Sequence, residues 1–131
     1  MKRKNILLFS FTSMAIAIIL GAFGAHYLKE QLHLPMEKLN SWQTGIFYQI
    51  VHSLAILLLF ILEDKVQLKT KVSIRLFILG IILFSGSIYG LTLNNVWEIK
   101  VLKYILVPLT PLGGISFILG WVLLTFNLLK K

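Results

Sequence analysis

Four stretches of this chain run without a single Asp, Glu, Lys or Arg: Asn5–Leu28, Leu39–Leu62, Leu76–Trp97 and Tyr104–Leu129. Each exceeds the roughly 18 mostly apolar residues that mark a membrane-spanning helix. A helix of a soluble bundle would present charges to water at almost every turn, and none of the four does. The pattern therefore predicts an all-α fold, a transmembrane four-helix bundle. It forms a single integral membrane domain over residues 1–131, with spans at approximately 6–28, 42–62, 74–95 and 111–129. Met1-Lys2-Arg3-Lys4 followed by Ala22-Phe23-Gly24 also has the outline of a signal peptide. The apolar run from Ile6 is longer than the usual central region of about 7–15 residues, and more apolar segments follow, so it is read as a retained helix.

Prolines punctuate this pattern. Read as one helix, Tyr104–Leu129 would be about 39 Å long, against a hydrocarbon core of about 30 Å. Pro108 and Pro111 each remove a backbone donor and crowd the preceding turn, and Thr110-Pro111 has the form of an N-cap followed by the first helical residue. The last span is therefore expected at Pro111–Leu129, preceded by a Pro-broken outer connector over Trp97–Val107. Leu34-Pro35 marks the start of the second helix in the same way.

Composition strengthens the membrane reading. The chain is 57% apolar and 14% charged, with a mean hydropathy of +0.85. A soluble domain carries about a quarter charged residues, and so apolar a chain is not disordered. The absence of cysteine excludes a disulfide framework, a thiolate metal site and a cysteine nucleophile. The net charge of +8 is distributed unevenly. With the N-terminus inside, Lys2, Arg3, Lys4, Lys65, Lys69, Lys71, Arg75, Lys130 and Lys131 fall on the inner side. Lys29, Lys38, Lys100 and Lys103 fall on the outer side, partly offset by Glu30, Glu37 and Glu98. Basic excess belongs on the cytoplasmic side, so both termini are expected there, in the cell (inner or plasma) membrane. Tyr27, Trp42, Trp97 and Tyr104 fall at the outer boundary, as an aromatic belt would. Topology and attraction to anionic membrane lipids account for the charge, and nucleic acid is not needed as a partner.

Few polar residues lie inside the spans, and those few carry the candidate chemistry. Ser41, Gly45, Tyr48, Gln49 and His52 fall within an arc of about 100° on the second helix. His52 sits near the midpoint of its span, with Gln49 one turn before it. Neither can face hydrocarbon cheaply, so the stripe is expected to face the bundle interior. Ser85, Tyr89 and Thr92 share a face of the third helix, Thr110 caps the fourth and His26 closes the first, so most of these groups lie in the outer half. Small residues offer close packing: Ala17, Gly21 and Ala25 on the first helix, Gly80, Gly86 and Gly90 on the third, Gly113, Gly114 and Gly120 on the fourth.

Two uses suit such a cluster. It can be an interhelical hydrogen-bond network that fixes register. Or it can bind something in the membrane, either a partner helix or, in a pocket opening outward between helices, a lipid headgroup, a quinone-like molecule or another small hydrophobic ligand; His26, Tyr48, Gln49, His52, Ser85, Tyr89 and Thr110 are then the candidate ligand-binding residues. An intramembrane enzyme using His52 or His26 is an alternative, but no carboxylate lies in any span to orient a histidine and no Ser-x-x-Lys or Gly-x-Ser-x-Gly arrangement occurs. His26, His33 and His52 lack metal-ligand spacing, so neither metal nor cofactor is expected. A transporter or channel component is a further alternative. It would need a homo-oligomer, because four short spans leave little room for a pore in one chain.

Five blocks carry a family resemblance in order: Gly21-Ala22-Phe23-Gly24-Ala25-His26; Trp42-Gln43-Thr44-Gly45 leading to Tyr48-Gln49-Ile50-Val51-His52; Phe84-Ser85-Gly86-Ser87-Ile88-Tyr89; Leu109-Thr110-Pro111-Leu112-Gly113-Gly114; and Gly120-Trp121. Together they resemble the YgdD/YwdK family of small integral membrane proteins, catalogued as domain of unknown function four hundred twenty-three. The resemblance covers essentially the whole chain and implies a four-span protein of the plasma or inner membrane. It implies no activity, substrate or cofactor and supplies no catalytic residue. Tyr27 departs from the small residue expected after the histidine, which narrows any opening near His26.

Overall fold

The computed structural model describes residues 3–130 and contains four long helices. They are α1 (Arg3–Gln31), α2 (Met36–Val66), α3 (Lys71–Trp97) and α4 (Lys100–Leu129). Their order makes an up-down bundle with both chain ends on one side, called here the terminal end. In hydrocarbon every backbone N–H and C=O must be satisfied within its own segment, which selects helices whatever the local propensity of these Ile-, Leu- and Phe-rich runs.

The connectors are short and share one device. His33, Gln67 and Glu98 have φ of 47°, 49° and 51°, so each of the three connectors carries a left-handed residue that reverses the chain. At the α3–α4 turn Asn94 clamps the reversal with both arms of its amide. Its Nδ2 donates to the Ile99 carbonyl at 3.1 Å and its Oδ1 accepts from the Ile99 N–H at 3.0 Å. Pro35 sits just before α2 with ψ of 146°, holding the chain extended at the helix entrance.

The expected Pro-broken connector is absent. α4 is helical from Lys100 through Leu129, with Pro108 and Pro111 inside it. The two prolines free the carbonyls four residues back, those of Tyr104 and Val107, which lie within about two turns of the charged Lys100 and Lys103. Near the polar boundary such groups are readily satisfied, and spanning helices tolerate proline for this reason. Thr110 accordingly is no N-cap.

α3 and the end of α1 are not regular. Ile81–Ser85 forms a π-helical turn within α3, and Gly24–Gln31 continues α1 as a π-helix. The wider turns rotate the residues beyond them away from a 3.6-residue period. On α1 the expected small-residue ridge divides. Ala17 is fully buried, Ala25 is exposed, and a Cβ at Gly21 would meet nothing. The close approach is made instead by Gly24, which lies under the indole of Trp42.

Two apolar clusters build the core. One, toward the terminal end, gathers Ile56, Leu59, Ile74, Phe77, Ile81, Phe117 and Leu124; the other gathers Ala17, Leu28, Leu34, Trp42 and Ile46. α4 locks onto α3 through reciprocal ring-over-glycine contacts: Phe117 covers Gly80, and Phe77 covers Gly120. At Gly113 the two helices meet so closely that a Cβ would strike the Phe84 backbone. Among the described residues the backbone of α1 comes close to that of α2 and to no other helix.

Candidate functional site

Between the two apolar clusters lies a layer of polar side chains centred on α2. Gln49 and His52 are each 4% exposed, as the stripe on that helix predicts. The Gln49 amide can be oriented from its partners. The Ser13 carbonyl, an acceptor only, lies 2.8 Å from Nε2, which therefore donates; Nε2 also reaches Ser13 Oγ at 3.3 Å. Oε1 then accepts from the Tyr89 hydroxyl at 2.7 Å. One residue thus ties α1, α2 and α3 together. Ser53 adds a second tie by donating to Ser13 Oγ at 2.8 Å.

His52 is resolved by the same logic. The Trp121 indole N–H, a donor only, lies 3.2 Å from Nε2, so that nitrogen carries the lone pair. The proton is then on Nδ1, which donates to the Tyr48 carbonyl at 2.9 Å. The ring stacks on Phe117, centroids 3.6 Å apart and interplanar angle 14°, and meets the Phe77 ring edge-on, centroids 5.1 Å apart. This is a neutral imidazole with both nitrogens engaged, and neither is left to act as a base on a bound molecule.

Further ties close the layer. Ser85 Oγ donates to the Gly45 carbonyl at 2.8 Å, where α3 comes close enough that a Cβ on Gly45 would sit 2.9 Å from the Tyr89 ring. Ser87 donates its proton to the Phe84 carbonyl at 3.0 Å, so the 2.7 Å contact with Thr110 has the threonine as donor. Thr110, expected to cap α4, instead joins α4 to α3.

Of the seven sequence candidates, Gln49, His52, Ser85, Tyr89 and Thr110 are brought into this layer. Tyr48 lies at its edge, 36% exposed, with its ring 4.7 Å from Phe84. His26 is apart: it is exposed, within the π-helical end of α1, with Nδ1 3.9 Å from Glu30 Oε2. Ser13, Ser53 and Trp121 are partners that the sequence pattern did not single out. Because Ser13 and Ser53 lie on the terminal side of the span midpoints, the layer straddles the middle of the bundle and is not confined to one half. Trp42 is another correction. It is 1% exposed and donates its indole N–H to the Leu20 carbonyl at 2.9 Å, so it is a core tie and not part of a boundary belt. Tyr27, Trp97 and Tyr104 do remain exposed.

The layer is reachable from one side. Because the backbones of α1 and α3 stay apart, a groove of about 360 Å³ opens between them, walled by Leu8, Phe9, Ile16, Ile81 and Ile82. Thr12, Ser13 and Gln49 supply its polar groups. The π turn contributes two of the wall residues, Ile81 and Ile82. Among the described residues no three His, Asp or Glu side chains converge on a common point.

The family model described as "Protein of unknown function (DUF423)" matches residues 20–114. The chain belongs to this family. Similar DUF423-type relatives span nearly their full length. The UPF0382 membrane protein YwdK of Bacillus subtilis is 36% identical over 117 residues, 88% of either chain. The UPF0382 inner membrane protein YgdD of Escherichia coli K12 is 34% identical over 131 residues, 99% of this chain and 93% of its own. A UPF0382 membrane protein of Haemophilus influenzae is 32% identical over all of this chain and 98% of its own. No solved structure matches. With four helices long and apolar enough to cross a bilayer and relatives named as membrane proteins, this DUF423 chain is a membrane protein. Within the matched stretch lie Gln49, His52, Ser85, Tyr89 and Thr110; Ser13 and Trp121 flank it on either side.

Proposed function

We propose that this DUF423 protein is a non-enzymatic cell-membrane module that takes a lipid-like small molecule sideways into the groove between α1 and α3. The carrying observation is that Ser13 and Gln49, the junction of three helices, also form the polar part of an otherwise apolar lateral groove. An acyl or prenyl chain suits Leu8, Phe9, Ile16 and Ile82, and a hydroxyl or carbonyl on the ligand suits the exposed Thr12 hydroxyl and the second lone pair of Gln49 Oε1. The engagement of both His52 nitrogens speaks against the enzymatic alternative. Both termini are cytoplasmic in this reading, supported by Arg3, Lys4, Lys65, Lys69, Lys71, Arg75 and Lys130, the described basic residues of the terminal end.

The test is mass spectrometry of the full chain released from its own membrane in a mild detergent, beside Ile82→Trp, which fills the groove from a residue 56% exposed. The reading expects a retained amphiphile on the wild type and its loss from the variant at an unchanged thermal midpoint. Equal retention by both, or none on the wild type, overturns it. Orientation is tested separately, because the chain has no cysteine. Gln31→Cys is expected to react with an impermeant maleimide in intact cells, and Lys69→Cys only after permeabilisation; the opposite pattern inverts the topology.

A further inference from the structure

A second groove, of about 540 Å³, opens at the terminal end, where the last turn of α2, the α2–α3 turn, the start of α3 and the end of α4 meet. Lys69 and Lys71 stand on its rim with Glu63, and Leu68 and Leu123 line its wall. The turn that carries the lysines is pinned, because Asn127 Nδ2 on α4 donates to the Lys69 carbonyl at 2.8 Å. Arg3 at the same end is neutralised by Asp64 at 2.7 Å, whereas among the described residues neither Lys69 nor Lys71 has a carboxylate partner. The first amides of α3 receive no side-chain cap, so the helix dipole adds positive potential beside the two ammonium groups.

We propose that this groove is a headgroup site for an anionic phospholipid. Lys69 and Lys71 hold the phosphodiester, and the first methylenes of the acyl chains lie along Leu68 and Leu123. Charge complementarity selects the anion, and the apolar wall selects a lipid over a soluble phosphate. Glu63 disfavours a doubly charged phosphate and offers an acceptor to hydroxyls, which favours a monoanionic, glycerol-type head. The inference is independent of the lateral groove and of which way the protein faces.

The full chain is reconstituted in nanodiscs of phosphatidylcholine containing phosphatidylglycerol, re-extracted, and its retained lipid identified by mass spectrometry. Phosphatidylglycerol is expected to be enriched, and Lys69→Gln/Lys71→Gln to reduce that enrichment by about fivefold or more, given the attraction each such lysine exerts near an anionic surface. Lys65→Gln/Lys130→Gln removes two charges from the same end outside the groove and is expected to keep the enrichment. Lys69→Arg/Lys71→Arg, which preserves charge, is expected to retain it too, and shows that any loss is not misfolding. An equal fall in the Lys65/Lys130 variant would reduce the effect to general surface potential and overturn the site. So would equal retention of phosphatidylcholine, or displacement of the lipid by millimolar inorganic phosphate, which would make the ligand a free anion.

Discussion

The α1–α2 seam and the α3–α4 seam are held by different forces. α1 is fastened by directed bonds: Gln49 and Ser53 to Ser13, Trp42 to the Leu20 carbonyl, and Arg3 to Asp64 at the membrane surface. α3 and α4 share the Thr110–Ser87 hydrogen bond but are otherwise fastened by shape, with phenylalanine rings seated on Gly80 and Gly120 and backbone against backbone at Gly113. Lipid tails are as apolar as leucine, so burial of apolar area contributes little to helix association. What remains is close van der Waals contact or hydrogen bonding. This molecule uses the first where two helices are interlocked and the second where one helix is attached along a single flank, leaving the groove beside it open.

Breaking the shape-based seam is expected to cost most. Gly113→Ala places a methyl on the Phe84 backbone, which cannot move as a side chain can, and should lower stability by about 2–3 kcal/mol as an overpacked core does. Denaturation in mixed micelles followed by circular dichroism checks it, and a loss under 0.5 kcal/mol would contradict the close approach. At the bonded seam, Gln49→Leu removes the ties to both Ser13 and Tyr89 and should cost about 1–2 kcal/mol, the range of interhelical hydrogen bonds in membranes. It should also speed hydrogen exchange in α1 before that in α4; uniform acceleration would mean that the two seams do not unfold separately. The smallest effect sharpens the contrast. A Cβ at Gly86 would meet nothing within 4 Å, so Gly86→Ala should be neutral or stabilise by at most about 1 kcal/mol. A clear loss there would show that the exposed face of α3 is packed against something else in the membrane.

The spans and the stripe on α2 were legible because both depend on the solvent: hydrocarbon forces long uncharged helices and drives Gln49 and His52 inward. The partners of that stripe were not. A serine in a spanning helix can satisfy itself on the carbonyl four residues back, as Ser10 does on Ile6 and Ser41 on Glu37, so nothing in the sequence separates such serines from Ser13 and Ser53. A tryptophan reads as a boundary anchor by default, which concealed the role of Trp42. His26 stands outside the layer, in a segment that is π-helical from Gly24 and so departs from the 3.6-residue period of the helix before it. The connector before α4 was misjudged because the helix-breaking rule for proline was learned from chains in water, where neighbouring helices and the polar boundary do not shelter freed carbonyls.

The direction of donation in the central layer has an electrical consequence. Tyr89 donates to Gln49 and Gln49 to Ser13, while Ser53 donates to Ser13 from the other side, so the chain of donors runs head-on into one oxygen. An amide cannot relay a proton as a hydroxyl or water can, and the one imidazole is tied off at both ends by a carbonyl and an indole. Among the described side chains the donors of the layer therefore converge on Ser13, so its bond dipoles point toward α1 from both sides and do not line up in one direction across the bundle.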